Sequence, residues 1–122
     1  MSKEFKIIIA GSRDFTNYDL LKKKMDSFLM EKKASFDVVV ISGTAKGADT
    51  LGEQYANEHG YKIVRFPADW NRFGNAAGRV RNEEMGEIAD AVVAFWDGKS
   101  PGTHNMISIA KKKKLPLRVV SF

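Results

Sequence analysis

The chain has 122 residues, 43% of them hydrophobic, which fits one domain with a buried core and leaves little length for a second. It has no cysteine, which excludes disulfides, thiol nucleophiles and cysteine-based metal sites and leads us to expect a reducing, cytoplasmic setting. The formal charge of +5 favours anionic partners, while no stretch approaches the roughly 20 apolar residues of a membrane span and the N-terminal residues lack a signal-peptide pattern.

Residues 6–10 form a continuous apolar run stopped by Gly11 and read as a first strand. Over residues 17–33, Tyr18, Leu21, Met25, Phe28 and Leu29 fall on one face, which predicts a helix capped by Thr16 or Asn17. Phe36–Ser42 is a second buried strand. Ala48, Leu51, Tyr55 and Ala56 line a second helix that ends at Gly60. Residues 61–66 are a third strand closed by Pro67, and a polar loop follows over 68–75. A third helix is expected over 76–89, a fourth strand at Ala91–Trp96, a fourth helix over 103–114 and a last strand at Leu117–Ser121. Strands alternating with helices call for a Rossmann-like, three-layer α/β/α fold with about five parallel strands. The expected order is 3-2-1-4-5, with its switch point between the first and fourth strands.

In such a sheet, ligands sit outside the carboxyl ends of the strands. The segments that follow the first four strands hold most of the glycines and several isolated basic residues. The connections at the other edge, around Lys33, Gly60 and Leu115, hold ordinary capping and solvated residues. The pairs Gly11-Ser12, Gly43-Thr44 and Gly102-Thr103 each set a glycine and a hydroxyl where a strand gives way to a turn or helix, an arrangement suited to phosphate. Any one pair alone reads as the plain start of a helix; three on one edge read as a binding site. Arg13, Lys46 and Arg81 are the candidate cations, with charge-assisted bonds of roughly 1.5–3 kcal/mol each.

Arg81 shares a helical face with Ala77, Met85 and Ile88, so it points inward and needs a partner, either Glu84 or a bound phosphate. Arg72 and Arg79 read as exposed. Trp70 and Phe73 can stack on a base or pack on their own loop, and Asp49 can cap its helix or hold a ribose hydroxyl. His104 opens the fourth helix beside the expected site without an aligned nucleophile, and His59 reads as structural. The lysine runs at residues 22–24 and 111–114 read as solvated helix faces, the second complementing a helix dipole. Gly-x-Gly-x-x-Gly and the His-Glu-x-x-His helix are absent, and Gly43-Thr-Ala-Lys-Gly47-Ala-Asp49 lacks the Gly-Lys-Ser/Thr ending of a P-loop.

Taken together, Gly11-Ser-Arg-Asp-Phe15, Ser42-Gly-Thr-Ala-Lys-Gly-Ala-Asp49, Pro67-Ala-Asp-Trp70, Gly74-Asn-Ala-Ala-Gly78, Arg81-Asn-Glu-Glu-Met85 and Gly102-Thr103 resemble the SLOG superfamily, in its small stand-alone YspA-type (cpYpsA-related) branch. The resemblance implies one SLOG-like nucleotide-binding domain over residues 1–122. It also implies a homo-oligomer and kinship with LOG-type phosphoribohydrolases, DprA and sensors of NAD-derived signals. LOG enzymes use an arginine of an Arg-x-x-x-Met pattern, matched here by Arg81 and Met85, and a glutamate three residues beyond a glycine-threonine pair, where this chain has Met106. By this resemblance the phosphate cradle is kept and the usual carboxylate is not; Glu84, Asp69 and Asp97 are the acids that could substitute for it.

The expectation is therefore a module that senses or sequesters a nucleotide or nucleotide-derived phosphate. Its ligand-binding set is Gly11, Ser12, Arg13, Gly43, Thr44, Lys46, Gly47, Asp49, Trp70, Arg81, Asn82, Gly102 and Thr103. One alternative is a LOG-like hydrolase of an N-glycosidic or phosphoester bond, with Arg81 and Glu84 as catalytic candidates; the other is DprA-like binding of single-stranded DNA through the lysine runs. No metal or other cofactor is expected.

Overall fold

The computed structural model describes residues 3–122, so the first two residues of the expected domain lie outside the described residues. Its elements run β1 (Lys3–Gly11), α1 (Tyr18–Leu29), α2 (Lys32–Ser35), β2 (Phe36–Ser42), α3 (Ala48–His59), β3 (Lys62–Arg65), α4 (Trp70–Phe73), a 3-10 turn (Gly74–Ala76), α5 (Ala77–Ile88), β4 (Ala91–Trp96), α6 (Pro101–Lys112) and β5 (Leu117–Ser121). The strands pair in parallel in the order β3-β2-β1-β4-β5, the order expected from the alternation.

The central strands are apolar on both faces because helices cover both. Ile7, Ile9, Val38, Val40, Val93 and Phe95 meet Leu21, Met25 and Leu29 of α1 and Ala48, Tyr55 and Ala56 of α3. On the other face, Ile8, Ala10, Ile41 and Val92 meet Met85 of α5 and Met106, Ile109 and Ala110 of α6. Each such large side chain contributes roughly 1.5–3 kcal/mol of burial. Right-handed crossovers from β1 to β2 and from β2 to β3 keep α1 and α3 on one side. After β3 the chain reverses direction across the sheet, so α5 and α6 cover the other side. The two halves part between β1 and β4, and a crevice opens at the carboxyl ends of these strands.

Element limits moved where packing decided them. The first strand begins earlier than its apolar run, since Lys3, Glu4 and Phe5 pair with Phe36, Asp37 and Val38. The expected helix over 17–33 stops at Leu29, the last buried residue of its stripe, and the chain resumes in the separate turn α2. Asn17 caps α1, its side chain accepting from Leu20 N at 3.0 Å. Within the expected loop, Asp69 starts the one-turn helix α4 by accepting from Arg72 N at 3.1 Å. Pro101 starts α6 two residues before the expected Thr103. Among the described residues no helix is long and apolar enough to cross a membrane.

Candidate functional site

The crevice between β1 and β4 holds a cavity of about 680 Å³. The turn after β1 contributes Gly11, Ser12, Arg13 and Asp14; the loop after β2 and the start of α3 contribute Ala45 and Asp49. Trp70 stands at the mouth, 54% exposed. The segment entering α5 brings Asn75, Gly78, Arg79, Arg81, Asn82 and Met85. The turn after β4 and the start of α6 bring Asp97, Ser100, Pro101, Gly102, Thr103, Asn105 and Met106.

One wall is organised by Asp97. Its Oδ1 accepts from the backbone N–H groups of Lys99 and Ser100, both at 2.8 Å. The Ser100 hydroxyl lies 3.0 Å from each Asp97 carboxylate oxygen and 2.9 Å from Ser12 Oγ, which accepts from Asp97 N at 3.2 Å. Donation from Ser100 N, then Lys99 N, holds the Asp97 carboxyl down at about 2, so it stays ionised. This knot ties the turn after β1 to the start of α6. The first helical bond of α6 runs from His104 N to Ser100 O at 3.1 Å. The N–H groups of Gly102 and Thr103 precede it and have no acceptor within the helix, which leaves donors and the positive end of a helix dipole beside the cavity.

The opposite wall is the loop after β2. Ser42, 1% exposed, donates to Glu53 Oε2 at 2.7 Å and accepts from Thr44 N at 3.1 Å. Glu53 Oε1 in turn accepts from Arg65 Nε and Nη2, both at 2.9 Å. This buttress holds Thr44 at φ 65°, a left-handed conformation costly for a β-branched residue. Gly47 follows at φ 78°, where a Cβ would collide with the backbone of Ser12 and Arg13. The Arg81 guanidinium crosses from α5 to donate through Nη1 to Gly43 O and through Nε to Asn82 Oδ1 at 3.0 Å. Asn82 continues the link, donating to Asn105 Oδ1 at 2.9 Å and Gly102 O at 3.3 Å. Arg81 is thereby tied to both walls.

Asp49 lies under this arginine. It is 7% exposed, and its Oδ2 accepts from Ala45 N at 3.1 Å. A Cβ on Gly43 would stand 2.8 Å from Asp49 Oδ2 and 2.9 Å from Arg81 Nη1, so only glycine lets both groups approach the loop. Burial pushes the Asp49 carboxyl up to about 6, against the opposing pull of Ala45 N–H, Arg81 and Arg13; Glu53 adds to the rise. Burial likewise draws the Arg81 guanidinium below its ordinary range, Asp49 opposing and Arg13 assisting.

Of the residues expected from sequence, Gly11, Ser12, Arg13, Asp49, Trp70, Arg81, Asn82, Gly102 and Thr103 line this cavity. Gly43 and Thr44 line an adjoining hollow of about 150 Å³, together with Arg13, Ala45, Pro67, Ala68, Trp70 and Arg81. Lys46 is exposed and lines neither, and Gly47 supports the loop from behind. Glu84 is exposed and makes no bond to Arg81, which is partnered instead by Gly43 and Asn82. The apolar face shared by Arg81 ends at Met85, because Ile88 is 38% exposed. His104 is exposed, its ring 5.7 Å from that of Trp96, and Phe73 packs under the Arg72 guanidinium, 4.9 Å from its ring centre. His59 sits between Tyr55 O at 2.9 Å and Asp26 at 3.3 Å and lines neither space.

Sequence reasoning missed Ser100, Asn75 and Asn105 as cavity residues and read Arg79, which reaches the rim, as merely exposed. The Asp97-Gly-Lys-Ser100 spacing carried the signal for Ser100, since aspartate accepting from the residues two and three ahead is a common turn. Asn105 had no such signal; it becomes visible only when α5 and α6 pack together. Among the described residues no group of three histidine or acidic side chains is placed to hold a metal ion.

The sequence pattern of one family, YspA, cpYpsA-related SLOG, matches residues 5–73. Among solved structures, DNA processing protein A (DprA) from Streptococcus pneumoniae superposes with a TM-score of 0.71 at 14% identity, over 96% of this chain and 50% of that one. DprA from Helicobacter pylori, described for its single-stranded DNA binding mode, gives 0.63 at 21% identity, over 94% of this chain and 64% of that one. The Moco carrier protein from Chlamydomonas reinhardtii gives 0.60 at 14% identity, over 97% of this chain and 76% of that one. This chain thus spans about half to two thirds of the length of the two DprA proteins, and at these identities the likeness is one of fold. No curated protein matches it in sequence. With the family pattern matched over more than half of its length, on the five-stranded order described above, the chain belongs to the YspA, cpYpsA-related SLOG family.

Proposed function

We propose that this chain binds a nucleotide or nucleotide-derived phosphate in the cavity between β1 and β4, and holds it without hydrolysing it. The observation that carries this reading is the lining of that cavity: Arg13, Arg79 and Arg81 line a space of about 680 Å³ together with the start of α6, whose first N–H groups have no acceptor within the helix. Guanidinium forks and helix N-termini are the two protein devices best matched to phosphate oxygens. Asp14, Asp49 and the asparagines supply acceptors and amides for ribose and base, and Trp70 supplies a face for stacking. Against hydrolysis stands Met106, 1% exposed in the cavity wall at the place where LOG enzymes carry their glutamate. The reading takes residues 1–122 as one binding domain, supported by the single sheet on which the described helices pack.

Single-stranded DNA is the second reading, favoured by the likeness to DprA. The lysine run at 111–114 does not help it: the cavity lining on α6 ends at Met106, and Lys112 at the far end of the helix lies about 9 Å further along its axis.

A thermal-shift screen against mononucleotides and dinucleotides tests the proposal. A ligand at about 100 times its Kd adds about 2.7 kcal/mol, or roughly 10 °C for a domain of this size. Arg81→Ala should remove the shift while far-UV circular dichroism stays unchanged. Failure of every nucleotide to stabilise the protein would overturn the reading, and conversion of the ligand to products would overturn its second half.

A further inference from the structure

The space available to a ligand does not end at Arg81. Arg13, Ala45, Trp70 and Arg81 line both the main cavity and the adjoining hollow of about 150 Å³. The start of α6 and the Asp97–Ser100 turn face only the larger space, whereas Gly43, Thr44, Pro67 and Ala68 face only the smaller. The two guanidiniums therefore stand at a junction with room on either side. Resting on the nucleotide reading above, we propose that the phosphate held by Arg13 and Arg81 is a bridging one, substituted on both sides, with its longer arm in the main cavity and a single ring in the hollow beside Trp70.

Three observations favour a bridging over a terminal phosphate. Arg81 already donates to Gly43 O and Asn82 Oδ1, so only part of its five-donor fork remains, enough for the two free oxygens of a bridging phosphate. A terminal phosphate carries up to two negative charges and would meet the buried Asp49 carboxylate beside the same arginine; a phosphodiester carries one. Beyond Arg13 and Arg81, the hollow is lined by Gly43, Thr44, Ala45, Pro67, Ala68 and Trp70, with no further cation among them, a lining that suits a flat ring better than a second anion. Its volume equals roughly five waters at about 30 Å³ each, room for one ring system.

Trp70 fluorescence and calorimetric titrations with adenosine monophosphate, adenylyl-adenosine and diadenosine pyrophosphate provide the test. Both bridged compounds should bind at least about tenfold more tightly than the monophosphate, the gain expected from stacking one further ring. Ala68→Phe, a half-buried loop change that fills the hollow, should bring that advantage over the monophosphate to within about twofold. Equal binding of all three compounds overturns the inference while leaving the nucleotide reading intact, as does an Ala68→Phe effect common to all three. Absence of binding by any of them overturns both. An octameric deoxyadenylate strand separates the sources of the shared bridge: affinity well above that of adenylyl-adenosine, falling steeply with salt, assigns it to a polynucleotide, and its absence to a free small molecule.

Discussion

Asp49 is a carboxylate that the fold would hold more easily as a neutral acid, and replacing it with asparagine tests that directly. Its carboxyl moves from an ordinary value of 3.8 to about 6, chiefly through burial. The folded state therefore binds the proton more tightly than the unfolded chain does. Stability is unaffected by this group below pH 4, declines as pH rises from 4 to 6, and remains lowered above. The gap between 3.8 and about 6, at about 1.4 kcal/mol per pH unit, puts the cost of the ionised form near 3 kcal/mol at pH 7.5. An asparagine at this position would keep an oxygen for the Ala45 N–H and carry no charge. We expect Asp49→Asn to match the parent at pH 4 and to exceed it by about 2–3 kcal/mol at pH 7.5 in urea unfolding followed by circular dichroism. A gain equal at both pH values, or a loss at pH 7.5, would contradict the assignment of the cost to buried charge.

Other outcomes follow from the two walls. Ser42→Ala removes the acceptor of Thr44 N and the donor to Glu53, and should lower stability by about 1–3 kcal/mol and speed amide exchange at Thr44 and Ala45. Thr44→Gly relieves a left-handed β-branched residue at the expense of unfolded-state entropy, for a net gain of about 0.5–1 kcal/mol in chemical denaturation. Asn82→Asp keeps an acceptor for Arg81 Nε but sets a carboxylate against Gly102 O and Asn105 Oδ1, and should cost about 1–3 kcal/mol by thermal unfolding.

The fold was legible because strand and helix periods alternate without ambiguity in the central elements. Runs such as Val38–Ile41, flanked by the stripe of Leu21, Met25 and Leu29, admit only strands covered by helices. What local pattern lacked was tertiary pairing. Lys3 to Phe5 became strand because Phe36 lies opposite, and residues beyond Leu29 left the helix because nothing on the sheet receives them. In the site, Arg81 was legible from its face with Ala77 and Met85, and the glycine-hydroxyl turns from their places after strands. The true partners of Arg81 were not, since Gly43 lies 38 positions away and only the packing of α5 against the loop after β2 brings it near. Lys46, a cation set among binding-type residues in sequence, is exposed and lines neither space, since the loop turns through Gly47 beside it.

The knot of Ser12, Asp97 and Ser100 joins positions 85 to 88 residues apart, across the line where β1 pairs with β4. One half of the sheet, β3-β2-β1, is complete in the first part of the chain, and the other, β4-β5, arrives last. Loops of that length close slowly. The cavity is complete only with β4 and β5 in place beside β1, and an occupant touching both the Ser12 turn and the Gly102–Thr103 helix start would act as a clasp across the seam, tying the two halves together as well as filling the space between them.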